Sequence, residues 1–174
     1  MNIVYEVEKY VKEQIEEYKN NSIDHYDFWN EHIKYVYEES IKLAQKYNAD
    51  IEIVSLGALL HDISLIKGGT KENHHIEGSK IAKTILEKYN YSKEKIDRVV
   101  NCIYNHRNSK NATNIEEICV CDADILAHFD NITIKGTKDQ IKSSLEKDYN
   151  DLSDITKESF KDKYKEICEK ILKE

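Results

Sequence analysis

At 174 residues the chain is long enough for one domain with a substantial core, and its net charge is −7. It contains no proline and five glycines, which favours an all-helical protein over a β-sandwich with many tight turns. The basic residues are scattered, the N-terminus is amphipathic and acidic, and no apolar run approaches about 18 residues. A nucleic-acid polymer, a membrane span and a signal peptide are therefore not expected, and the protein reads as cytoplasmic.

In chain order, Val4, Val7, Val11, Ile15 and Tyr18 recur at helical spacing and predict a helix over about 2–19, broken by Asn20-Asn21-Ser22. A second helix is expected from about Asp27 to Tyr47, carrying Trp29, Ile33, Val36, Ile41, Leu43 and Ala44. Asn48-Ala49-Asp50 turns the chain, with Asp50 as N-cap of a central helix that Gly68-Gly69 ends. A fourth helix runs from His74 to about Tyr89, and a fifth, capped by Ser92, closes near His106. Thr113-Asn114-Ile115-Glu116 fits a capping box that opens a sixth helix through Phe129. Ile132-Thr133-Ile134 reads as a short extended piece, Thr137 to Gln140 as a second capping box, and 154–173 as the last helix. The expectation is one all-α domain, a bundle of about seven or eight helices.

The central helix is the most apolar stretch, yet His61 and Asp62 stand side by side in it. A carboxylate in such surroundings must be paired, protonated or bound to a cation. Adjacent residues diverge by about 100° on a helix, so this pair reaches one ion only from a helix end or with help from other helices. His32 lies about 16 residues before the inter-helix turn and His61 about 11 after it, which brings the two within about a turn or two of the same level in an antiparallel hairpin. His74 and His75 open the next helix, His106 closes the fifth, and Asp124 lies midway along the sixth. Each alone is most simply a hydrogen-bonded or exposed side chain. Together they offer imidazole and carboxylate donors from five successive helices, a set that suits iron, manganese or a similar divalent metal. Cys102, Cys119, Cys121 and Cys168 show neither a C-x-x-C pair nor zinc-finger spacing and read as reduced thiols.

The ordered set His32, His61-Asp62, His74, His106 and Asp124 resembles that of the HD-domain superfamily of metal-dependent phosphohydrolases. The local contexts Leu59-Leu60-His61-Asp62-Ile63, His74-His75-Ile76-Glu77-Gly78 and Asp122-Ala123-Asp124-Ile125-Leu126 resemble it too. The likeness covers about residues 25–130, leaving helical additions at 1–20 and 137–174. It implies that His32, His61, Asp62 and Asp124 surround one metal, and that His74 and His106 serve a second that Asp62 bridges. His75 competes with His74 for that role. Asp122 competes with Asp124; the family pattern selects Asp124 and leaves Asp122 to orient a ligand or a helix end. Tyr35 stands three residues after His32, where the family commonly has a basic residue.

The resemblance implies one or two ions of iron or manganese, with cobalt, nickel, zinc or magnesium as the next choices. The expected activity is hydrolysis of a small phosphate ester or anhydride, a nucleotide first, by metal-activated water. Arg107, beside His106, is the expected phosphate clamp, because its fork can hold two oxygens. Lys67 and Lys71 in the loop after His61-Asp62 are further cations for phosphate, and Glu72 a proton relay. Two other classes share this ligand set: a di-iron oxygenase and a catalytically silent metal- or nucleotide-binding module. The sequence leaves the oligomeric state open.

Overall fold

The structure is a computed structural model that describes residues 2–130 and 136–173. Among the described residues there are nine α-helical segments and no strand. They are α1 (Ile3–Asn21), α2 (Lys34–Tyr47), α3 (Ile51–Leu60), α4 (Ile63–Ile66), α5 (His74–Lys88), α6 (Lys93–Asn105), α7 (Ile115–Asp130), α8 (Lys138–Asp151) and α9 (Asp154–Lys173). No helix among the described residues is long and apolar enough to cross a membrane. The expected extended piece at Ile132-Thr133-Ile134 lies outside the described residues.

Helix α3 is the axis of the bundle. Every residue from Ile53 to Leu60 is buried, and α1, α2, α6 and α7 pack around it. Asp50 starts it as expected, its carboxylate accepting the Glu52 and Ile53 N–H groups at 3.1 and 3.4 Å. The single central helix expected from the sequence is corrected: the chain leaves the helix at His61-Asp62 and resumes as the four-residue α4. Asp62 there has φ −102° and ψ 14°, and the His61 ring turns back to bond the Ala58 carbonyl. This break accounts for the ninth segment.

Two other starts differ from expectation. The second helix opens with a widened π turn, Trp29–Ile33, before continuing as α2. At the start of α7 the side-chain cap stands one residue later than the expected capping box. Asn114 accepts the Glu117 N–H at 3.0 Å, and the Glu117 carboxylate reaches back to the Thr113 N–H at 2.8 Å. The fully buried Glu117 also accepts the Asn105 amide at 3.1 Å, tying the end of α6 to the start of α7. A carboxylate with this many local donors outcompetes the shorter alternative offered by Glu116, which pairs with Arg98. The Thr137–Gln140 box forms as read.

Helices α8 and α9 make a hairpin that packs on α7. Phe160 meets Phe129 edge to face at 5.1 Å, and Leu145 is fully buried. Asp122 accepts the Ser153 N–H at 3.0 Å and the Ser153 hydroxyl, just ahead of α9. Cys102, Cys119 and Cys121 are buried free thiols and Cys168 is half-buried.

A close helix approach in the core is at Gly57, where a side-chain carbon would meet Cys102 Cβ and Val120 Cγ2 at 3.0 Å. Both neighbours are fully buried and have little room to give. Gly57→Val is predicted to destabilise the protein by about 1–3 kcal/mol through overpacking. Urea unfolding checks this, and a variant as stable as the parent would contradict it.

Candidate metal centre

All but one of the donors of the cluster sit where a helix starts, stops or is deformed. His32 is in the π turn, a feature often found at functional sites because it pushes one side chain out of helical register. His61 and Asp62 occupy the break between α3 and α4, His74 is the first residue of α5, and His106 follows the last residue of α6. Only Asp124 lies within a regular helix, α7. His32 Nε2 is 3.1 Å from His61 Nε2 and 3.0 Å from Asp124 Oδ1. Asp62 Oδ2 lies 3.6 and 3.5 Å from those two imidazole nitrogens, and Asp124 Oδ1 is 3.7 Å from His61 Nε2. The other oxygen, Asp62 Oδ1, is 3.4 Å from His74 Nε2, which in turn lies 2.9 Å from His106 Nε2.

The ring tautomers follow from the second nitrogens. Nδ1 of His61, His74 and His106 faces the carbonyl of Ala58, Lys71 and Ile103 at 2.7, 2.7 and 2.6 Å. Those N–H groups are therefore donated to the backbone, and in the neutral ring each Nε2 keeps its lone pair. Two imidazole lone pairs facing one another near 3 Å repel unless a cation lies between them. Donor atoms around one ion with bonds of about 2.1 Å are separated by roughly 3.0–3.4 Å, which these spacings approximate. The donor set fits a divalent metal, and Asp62, with one oxygen toward each histidine pair, fits a bridging position.

The HD domain family model matches residues 30–128, more than half of the chain. The chain belongs to the HD-domain family. A crystal structure described as a predicted HD superfamily hydrolase, from an uncultured Thermotogales bacterium, has the same fold. It is 18% identical, with a TM-score of 0.68 over 95% of this chain and 89% of that one. No curated protein matches. HD domains bind divalent metals, and the His/Asp cluster of this one can hold such an ion.

The remaining residues read from the sequence fall unevenly around this HD centre. Arg107 lines a cavity of about 420 Å³ together with His74, His106, Lys110, Asp124 and Lys147. Its Nη1 also donates to the Lys71 and Glu72 carbonyls at 3.3 and 3.1 Å, so it braces the loop before α5. Lys67 is not brought to the centre: its ammonium bonds Gln14 and lies over the Tyr10 ring. Glu72 is exposed and contributes its carbonyl to Arg107. Lys71 lines a second cavity of about 450 Å³, with Tyr26, Phe28, His32, Asp62 and Leu65. His74 faces the cluster, whereas the neighbouring His75 ring lies beside Tyr104. Asp122 points to the hairpin, where burial raises its pKa and Ser153 opposes the rise. Tyr35 is half-buried against the core. His128, which lines both cavities, and Lys110 and Lys147 were not singled out from the sequence.

Charge in the centre is set by burial and by the two aspartates. Burial opposes a charge on His61, but Asp62 and Asp124 prevail and push its pKa up to about 9. His106, buried and facing a charged His61, is pushed down to about 4. Burial works to raise both aspartates, yet His61 and His32 hold Asp62 low, and His32 chiefly does the same for Asp124.

These shifts predict a pH optimum for stability of the metal-free protein. His106, depressed on folding, contributes stability that is present above its unfolded value of 6.5 and lost as pH falls through about 4. His61, raised on folding, contributes stability that is full below 6.5 and lost as pH rises through about 9. In chelator, the melting temperature is expected to peak near about pH 6.5 and fall on both sides. A melting profile flat from about pH 4.5 to 9.5 would contradict the assignment.

Proposed function

We propose that this HD domain is a metal-dependent phosphohydrolase that cleaves a small phosphate ester or anhydride, with a nucleotide as the substrate class. The observation that carries the reading is the inward-facing donor set: His61, His74 and His106 each give Nδ1 to a backbone carbonyl and turn Nε2 inward, with one Asp62 oxygen beside His32 and His61 and the other beside His74. A divalent cation there supplies Lewis acidity, acidifying a water and offsetting charge on phosphoryl oxygens.

The chain's own residues do the rest. His32, His61, Asp62 and Asp124 hold one ion, and Asp62, His74 and His106 a second. The centre opens onto two cavities whose sizes suit a small molecule. One is lined by Tyr26, Phe28 and Leu65, which offer ring faces and apolar surface to an organic group such as a base. The other carries Arg107, Lys110 and Lys147, which offset phosphate charge in the absence of a basic residue at Tyr35. A small-molecule substrate also suits a chain of charge −7 better than a polyanion.

Metal analysis with a phosphatase screen tests the reading. Wild type is expected to carry about two ions per chain and His106→Ala about one, with much reduced phosphate release. His61→Ala and Asp62→Ala should lose metal and turnover together. Phosphate release should proceed without oxygen. Full metal content and turnover in Asp62→Ala would sink the proposal, and oxygen consumption without phosphate release would replace it with an oxygenase.

A further inference from the structure

His128 stands one turn beyond Asp124 on α7, so both side chains leave the same face of the helix. Its ring lies nearly parallel to that of His32, with centroids 6.1 Å apart and planes at 28°. A ring nitrogen of His128 and one donor atom each of His32 and Asp124 all lie within 4.8 Å of one another. Its Nδ1 faces Asp148 Oδ2 on α8 at 3.1 Å. When that N–H is given to the carboxylate, Nε2 keeps the lone pair. Backbone carbonyls impose the same arrangement on His61, His74 and His106. A carboxylate is the stronger acceptor, and a carboxylate–histidine pair is a recurring support for metal-bound imidazole. The His128 side chain is 47% exposed, against none of His61, so it stands on the open side of the cluster and lines both cavities.

We propose that His128 is a further ligand of the ion held by His32 and Asp124, and that Asp148 is the positioning residue that orients it. This rests on the metal reading of the centre, but not on the identity of the substrate. It makes the C-terminal hairpin part of the site, because Asp148 lies beyond the matched stretch 30–128 and His128 is its last residue.

Titration of the metal-free full chain with Co²⁺, followed by calorimetry and visible absorption, separates the possibilities. His128→Ala is expected to weaken one class of Co²⁺ site by at least about tenfold and to alter the visible bands through the change in coordination. Asp148→Asn should shift affinity in the same direction by a smaller factor and leave the chelated protein's melting temperature near that of wild type. Asp62→Ala serves as the control for the centre itself. If Asp62→Ala abolishes binding while His128→Ala keeps wild-type affinity and spectrum, the ligand assignment is overturned and the centre stands. If only Asp148→Asn is without effect, the positioning role is overturned. Wild type that takes up no Co²⁺ would overturn the metal reading and this inference together.

Discussion

The constraint on which the structure depends is the burial of imidazole lone pairs opposite one another, with two carboxylates beside them. In an apolar bundle such groups are costly unless every polar atom has a partner. Backbone carbonyls satisfy the outer nitrogens of three rings, and the inner nitrogens and both aspartates form clusters that can hold a cation. Regular helices cannot deliver this. Adjacent His61 and Asp62 would diverge by about 100°, and the break between α3 and α4 removes that conflict. The π turn at Trp29–Ile33 does the same for His32, whose nitrogen then comes within 3.1 Å of His61. Gly78 also belongs to this arrangement: a side-chain carbon there would stand 3.3 Å from the His61 carbonyl, so its absence lets α5 approach the break.

Much of this was legible in the chain. Helix periodicity and the caps at Asp50, Ser92 and Thr137 located the elements, because these signals are local and each rests on a hydrogen bond the sequence can name. The ordered His and Asp positions announced a shared centre for a different reason: each falls at a predicted helix end or level, so topology brings them together. The deformations were not legible. A π turn and a two-residue break are tertiary responses to the cluster, and neither carries Gly or Pro as a local mark. Lys67 was misplaced on proximity in sequence alone; the short turn after α4 carries its stem toward α1. Lys110, Lys147 and Asp148 went unnoticed because their relation to the centre depends on how the hairpin docks, which no spacing encodes.

Helix α7 shows how one helix divides its faces between chemistry and support. Asp124 and His128 are four residues apart and share the face turned to the cluster. Asp122, two residues before Asp124, points about 200° away round the helix, and so it cannot join the same ion. It receives Ser153 instead and fixes the hairpin against the back of α7. Phe129 adds an apolar contact to Phe160 on that side. The hairpin thus grips α7 from behind through Asp122 and reaches round to the front through Asp148. Any shift of α8 and α9 against α7 therefore moves the partner of His128 while leaving His61 and His106, anchored to their own backbones, where they are. The buried side of the centre is built rigid by local bonds. Its open side is set by a contact between His128 and Asp148, both more than sixty residues of chain beyond the HD pair.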